Sequence, residues 1–130
     1  MNNFTIYCPP YYENIHFCIT ENRDEARKYI LDTFKVDVGE KHETVNGYCI
    51  STNEVTAIWL PKIPESSVDF GALHHEMYHA VCGILEKKGV KDRGEPYAYL
   101  LGYIINIFYT LYPPIRQHDF KLFGKKIWIE

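Results

Sequence analysis

The chain has 130 residues, with 17 acidic and 14 basic side chains, a formal net charge of −3 and six histidines. That length accommodates one domain, residues 1–130, around a single core. With 46% hydrophobic and 24% charged residues, whole-chain disorder is excluded, and the absence of a basic block argues against nucleic acid held by phosphate contacts.

In chain order, Phe4 to Cys8 reads as a short strand stopped by Pro9-Pro10, and His16 to Thr20 as a second. Asn22 with Glu25 three residues on forms a capping box. It opens a helix through about Phe34 whose inner stripe is Ala26, Ile30 and Phe34. Gly39 to Gly47 is polar and turn-rich. Tyr48 to Ser51 and Val55 to Leu60 read as strands joined by Thr52-Asn53-Glu54 in a hairpin, ended by Pro61 and Pro64. Ser66 or Ser67 caps a helix to about Lys87, with Gly89 just beyond. Asp92 to Pro96 opens the next helix, which stops before Pro113-Pro114. Phe120 to Ile129 is expected to add one or two strands around Gly124. This order predicts an α+β layer fold.

The N-terminus has no basic n-region, long apolar h-region or small-residue cleavage site, so no secretory signal is expected and the chain is read as cytoplasmic. Cys8, Cys18, Cys49 and Cys82 are scattered without a CxxC pair and are read as reduced, mostly buried thiols. The longest apolar stretch, Tyr97 to Tyr112, falls short of the roughly 20 residues of a membrane span and carries Asn106 and Thr110. It is read as a buried helix, and no membrane partner is expected. Five of the 11 tyrosines fall in that stretch, so part of the phenolic surface belongs at a rim or polar cleft.

The chemistry is concentrated in His75-Glu76-Met77-Tyr78-His79, an H-E-x-x-H string. Residues i and i+4 are about 40° apart on a helix, so both imidazoles can share one metal ion, while Glu76 is offset by roughly 100°. Zinc in such a site takes three protein ligands and activates a water, for which Glu76 is the candidate general base. His74 lies roughly 140° from His79 and cannot share the metal. His74 and His118 are read as surface histidines, and Cys82 as a small buried thiol. Leu73, Met77, Ala80, Val81 and Ile84 form the apolar face of the helix, and Val68, Ala72, Cys82 and Glu86 flank the histidines.

Glu95 is the candidate third ligand; the alternative is a helix-capping acid. A turn from Gly89 to Gly94 is expected to bring it back to the level of His79. Glu95, Tyr99, Gly102 and Asn106 share one helical face, expected to line the metal cavity, with Gly102 allowing close approach to the first helix.

These residues resemble the gluzincin branch of the zincin metallopeptidases, in which one helix carries H-E-x-x-H and the next supplies Glu in an E-x-x-A motif. Here the matches are His75 to His79 and Glu95-Pro96-Tyr97-Ala98, and the resemblance covers roughly Val55 to Tyr112. It is to a minimal member of the small stand-alone or phage-encoded kind. The resemblance implies a zincin-like fold, in which a small antiparallel or mixed sheet packs on an active-site helix and a following Glu-bearing helix. It also implies zinc as cofactor, hydrolysis of a peptide bond in a protein or peptide partner, and Val55 to Leu60 as the edge strand over the site. Tyr99 and Tyr103 become candidates for stabilising an oxyanion, against a core or rim role. Two other readings compete: a zinc-binding module that no longer cleaves, and a di-iron carboxylate protein. The last would use Glu76-x-x-His79 with Glu13-Asn14-Ile15-His16, both on long helices.

Overall fold

Alternating residues begin the sheet. In a computed structural model that describes residues 1–39 and 46–113, strand β1 (Asn2–Cys8) turns Ile6 and Cys8 inward. It pairs antiparallel with β2 (Glu13–Ile19), from Asn2↔Ile19 to Cys8↔Glu13. β2 therefore starts three residues earlier than its apolar pattern suggests. Ile15, Phe17 and Ile19 face one side of the sheet and Cys18 the other, as a two-residue period requires.

Helix α1 (Arg23–Phe34) begins where Asn22 Oδ1 accepts the Glu25 N–H at 3.0 Å, and it buries Ala26 and Ile30. It packs with Cys18, Tyr48 and Trp59 in a second core cluster on the far face of the sheet. The Trp59 indole donates to the Thr20 carbonyl at 2.9 Å, so the large ring is buried with its polar edge satisfied.

Strands β3 (Tyr48–Ser51) and β4 (Thr56–Leu60) form the expected hairpin, but the sheet order is β1-β2-β4-β3. β4 runs parallel to β2, and all five of its residues are buried because helices cover both faces. The segment expected at the edge is therefore central, and among the described residues β1 and β3 are the edge strands. The sheet is mixed, in an α+β arrangement of four strands and three helices among the described residues.

Helix α2 (Ser67–Lys87) starts with a reciprocal capping box: Ser66 Oγ accepts the Asp69 N–H, and the Asp69 carboxylate accepts the Ser66 N–H, each at 3.2 Å. At its far end Lys87 donates to the Thr52 carbonyl at 3.1 Å, and Glu13 holds Lys87 and Lys88 at 3.4 and 3.2 Å. Helix α3 (Glu95–Leu111) runs back along α2, burying Tyr97, Leu100, Ile104 and Phe108 against α2 and β1. No helix among the described residues is long and apolar enough to cross a membrane. The strands expected in Phe120–Ile129, and most of the Gly39–Gly47 turn, lie outside the described residues.

α2 sits unusually close to β3 because Gly83 has no side chain: a methyl there would run into the Ser51 hydroxyl and lie 2.7 Å from Ser51 Cβ. Gly83→Ala is therefore expected to destabilise the protein by about 1–3 kcal/mol despite the better helix propensity of alanine. Adding Ser51→Gly should restore most of that loss. Urea unfolding checks both, and an unchanged midpoint in Gly83→Ala would contradict the contact.

A second expectation concerns pH. His16 is packed on Phe34 (ring centroids 4.6 Å) with Thr5 Oγ1 3.1 Å from Nδ1, and burial holds its pKa below the usual 6.5. The folded state thus resists protonation, so this stability is complete above about pH 6.5 and is lost as pH falls toward the depressed folded value. The unfolding midpoint of metal-free protein should fall between pH 7 and 5.5, with a shallower fall in His16→Asn. An identical pH slope in that variant would assign the effect elsewhere.

Candidate metal centre

The rotation of α2 about its axis places the site. Leu73, Met77, Ala80 and Ile84 are fully buried against the sheet and α3. At about 100° per residue, that stripe leaves His75 and His79 facing a groove between α2 and β3. The groove measures about 990 Å³, and its walls are Gly47, Cys49 and Ser51 on the strand side and Ala72, His75, Glu76, His79 and Cys82 on the helix.

The two Nε2 atoms are 3.1 Å apart. Two nitrogens on one tetrahedral zinc, each at about 2.05 Å, are separated by about 3.3 Å, so the pair has the bite of a chelate. Glu76 lies on the sheet side of the histidines, with only 6% of its surface exposed, and its Oε1 is 3.9 Å from His75 Nε2. Donor atoms of all three residues fall within 4.8 Å of one another. They fit a divalent metal held by His75 and His79 with a carboxylate beside it.

The strand side of the site carries little signal in the sequence. Gly47, at φ 152°, lies against Glu76; a Cβ there would sit 3.6 Å from Glu76 Cγ and 3.2 Å from the Trp59 carbonyl. Cys49 and Ser51 point toward α2 by the alternation of β3, and the only sequence signal for this is their small size at a two-residue spacing. Burial, with the charges of Glu76 and Cys82 second, pushes the Cys49 thiol up to about 12, so it keeps its proton at neutral pH. All four cysteines are free thiols; Cys8 and Cys18 are buried, Cys49 and Cys82 half-buried.

The structure does not bring the polar face of α3 to the histidine pair. Glu95 and Tyr99 are exposed, Tyr103 is half-buried and stacked on Tyr99 at 6.3 Å, and none of the three lines the groove. α3 buries Tyr97, Leu100, Ile104 and Phe108, which turns the Glu95-Tyr99-Gly102-Asn106 face to solvent. A methyl placed on Gly102 would meet nothing within 4 Å, so this glycine mediates no close approach. The helix also starts at Glu95 itself. Arg93, two residues before Glu95, bonds Glu86 at 2.9 Å, and Glu86 lies about 10 Å along α2 beyond His79. His74 turns to α3 and bonds Tyr109, and His118 lies outside the described residues.

Glu13 and His16 sit on β2, where residues three apart point to opposite faces, so the paired-helix arrangement of a di-iron site does not form. Glu13 is bound instead to Lys87 and Lys88.

Comparisons with protein-family models, curated proteins and solved structures found no match for this chain.

Zinc added to metal-free protein, followed by competition with a chelating dye, is expected to bind the parent and Glu95→Ala alike and to be lost in His79→Ala. Release of zinc by Glu95→Ala would show that the first turn of α3 reaches the histidines.

Proposed function

We propose that the protein is a zinc-dependent hydrolase of the minimal zincin type that cleaves a peptide bond in a protein or peptide. The observation that carries this reading is the pair of Nε2 atoms at 3.1 Å, opening on a groove with the Glu76 carboxylate buried beside them. Zinc bound there supplies a Lewis acid that acidifies water and polarises a carbonyl. Glu76 accepts the proton of the attacking water and hands it to the leaving amine nitrogen. Its burial between α2 and β3 holds the carboxylate on the sheet side, within reach of a reacting atom at the histidines. β3, an edge strand among the described residues, offers backbone N–H and C=O groups to an extended substrate.

One observation favours a second reading, a zinc-binding module without turnover. Tyr99, Tyr103 and Glu95, the residues expected to complete the site, all lie outside the groove. The two readings part on Glu76. Zinc-loaded protein incubated with a peptide library should generate new termini, and Glu76→Gln should keep its zinc while losing about 10²–10⁴-fold in rate. Undiminished turnover in Glu76→Gln would remove the base from the mechanism. Failure of the zinc-loaded parent to cut any peptide would leave the binding module.

A further inference from the structure

The groove continues past the metal ligands in both directions. Its lining on α2 runs from Gly71, before His75, to Glu86, beyond His79. At about 1.5 Å per residue this is about 22 Å, the length of six or seven residues of extended chain at about 3.3 Å each. At the end nearer the start of α2 it meets a second pocket of about 300 Å³, with Asn46 and Ala72 lining both. The apolar part of its lining is Leu60, Pro61, Pro64 and the exposed Val68. Of the charged residues around it, Lys62 pairs with Asp69 at 3.4 Å, and Glu21 adds an acidic group to the lining. Val68 is 72% exposed, an apolar side chain left in solvent beside the groove.

The charges along the groove say what it does not hold. Among the described residues no lysine or arginine lines it, so nothing there grips a substrate carboxylate. The carboxylate beyond the histidines, Glu86, is bound to Arg93 and lies about 10 Å past His79. That is too far to hold the ammonium of a residue next to the cleaved bond.

Resting on the hydrolase reading above, we infer that the site is endo-acting. It takes an internal stretch of about six extended residues and anchors it by one large apolar side chain in the Leu60–Pro61–Pro64–Val68 pocket. Val68 precedes His75 by seven residues, about 10 Å along the helix, which puts the anchor about two or three substrate residues from the bond.

Binding separates this inference from the chemistry. Zinc-loaded Glu76→Gln is titrated with fluorescent, N-acetylated and C-amidated alanine/serine peptides of about eight residues, longer than the groove. The peptides carry a single leucine three positions to one side or the other of the centre. A leucine on the correct side should tighten binding by about tenfold over the all-alanine/serine peptide, and Val68→Asp, a change at an exposed position, should abolish that gain. Equal binding with and without leucine, a leucine gain that survives Val68→Asp, or binding that appears only when the same peptides are made with free termini would each overturn the inference. The predicted binding pattern without cleavage by the zinc-loaded parent would uphold the groove and remove the hydrolase reading.

Discussion

Leu73, Met77, Ala80 and Ile84 on α2 are fully buried, and their burial locks the helix against rotation about its own axis. Each large side chain in that stripe contributes about 1.5–3 kcal/mol when removed from water. A turn of the helix by even one residue position would expose part of the stripe and bury an imidazole. The axial position is held as firmly. The Ser66–Asp69 box defines the start, the Glu13–Lys87–Lys88 cluster ties the end to the sheet, and Gly83 lets the helix settle against Ser51.

With the helix held this way, the donors of H-E-x-x-H fall into two environments. His75 and His79 meet solvent in the groove, where an ion can arrive. Glu76, one residue from His75, is turned into the seam between α2 and β3 and lies against Gly47. The same seam makes β3 a wall of the groove, so an edge strand and the Glu76 carboxylate line it together. Three features of the site therefore share one origin in the packing of α2 on β3.

Local rules make much of this legible in the sequence. Asn22 and Ser66 cap helices through contacts three residues away, and the imidazole pair follows from helix geometry alone. Strand order is another matter. Whether β3 or β4 lies outside depends on the parallel pairing of β4 with β2, across a span that includes a whole helix, and no local pattern encodes it. α3 misleads for a different reason. Its sequence is apolar around most of its circumference, with Leu101, Tyr103, Ile105 and Ile107 half-buried beside the inner stripe. The polar stripe at Glu95, Tyr99 and Asn106 suits a wet cavity and open solvent equally well, and here it faces solvent. The connection adds to this, since Arg93, two residues before Glu95, is tied to Glu86 near the end of α2.

The proposed function depends on His75 and His79 chelating one zinc ion with Glu76 beside it. Anomalous diffraction at the zinc edge, from crystals of zinc-loaded protein, tests it without reference to any substrate. A single strong peak is expected about 2.0–2.1 Å from both Nε2 atoms, with Glu76 close by and Glu95 distant. A zinc peak held by other residues, or none between the two imidazoles, would contradict it.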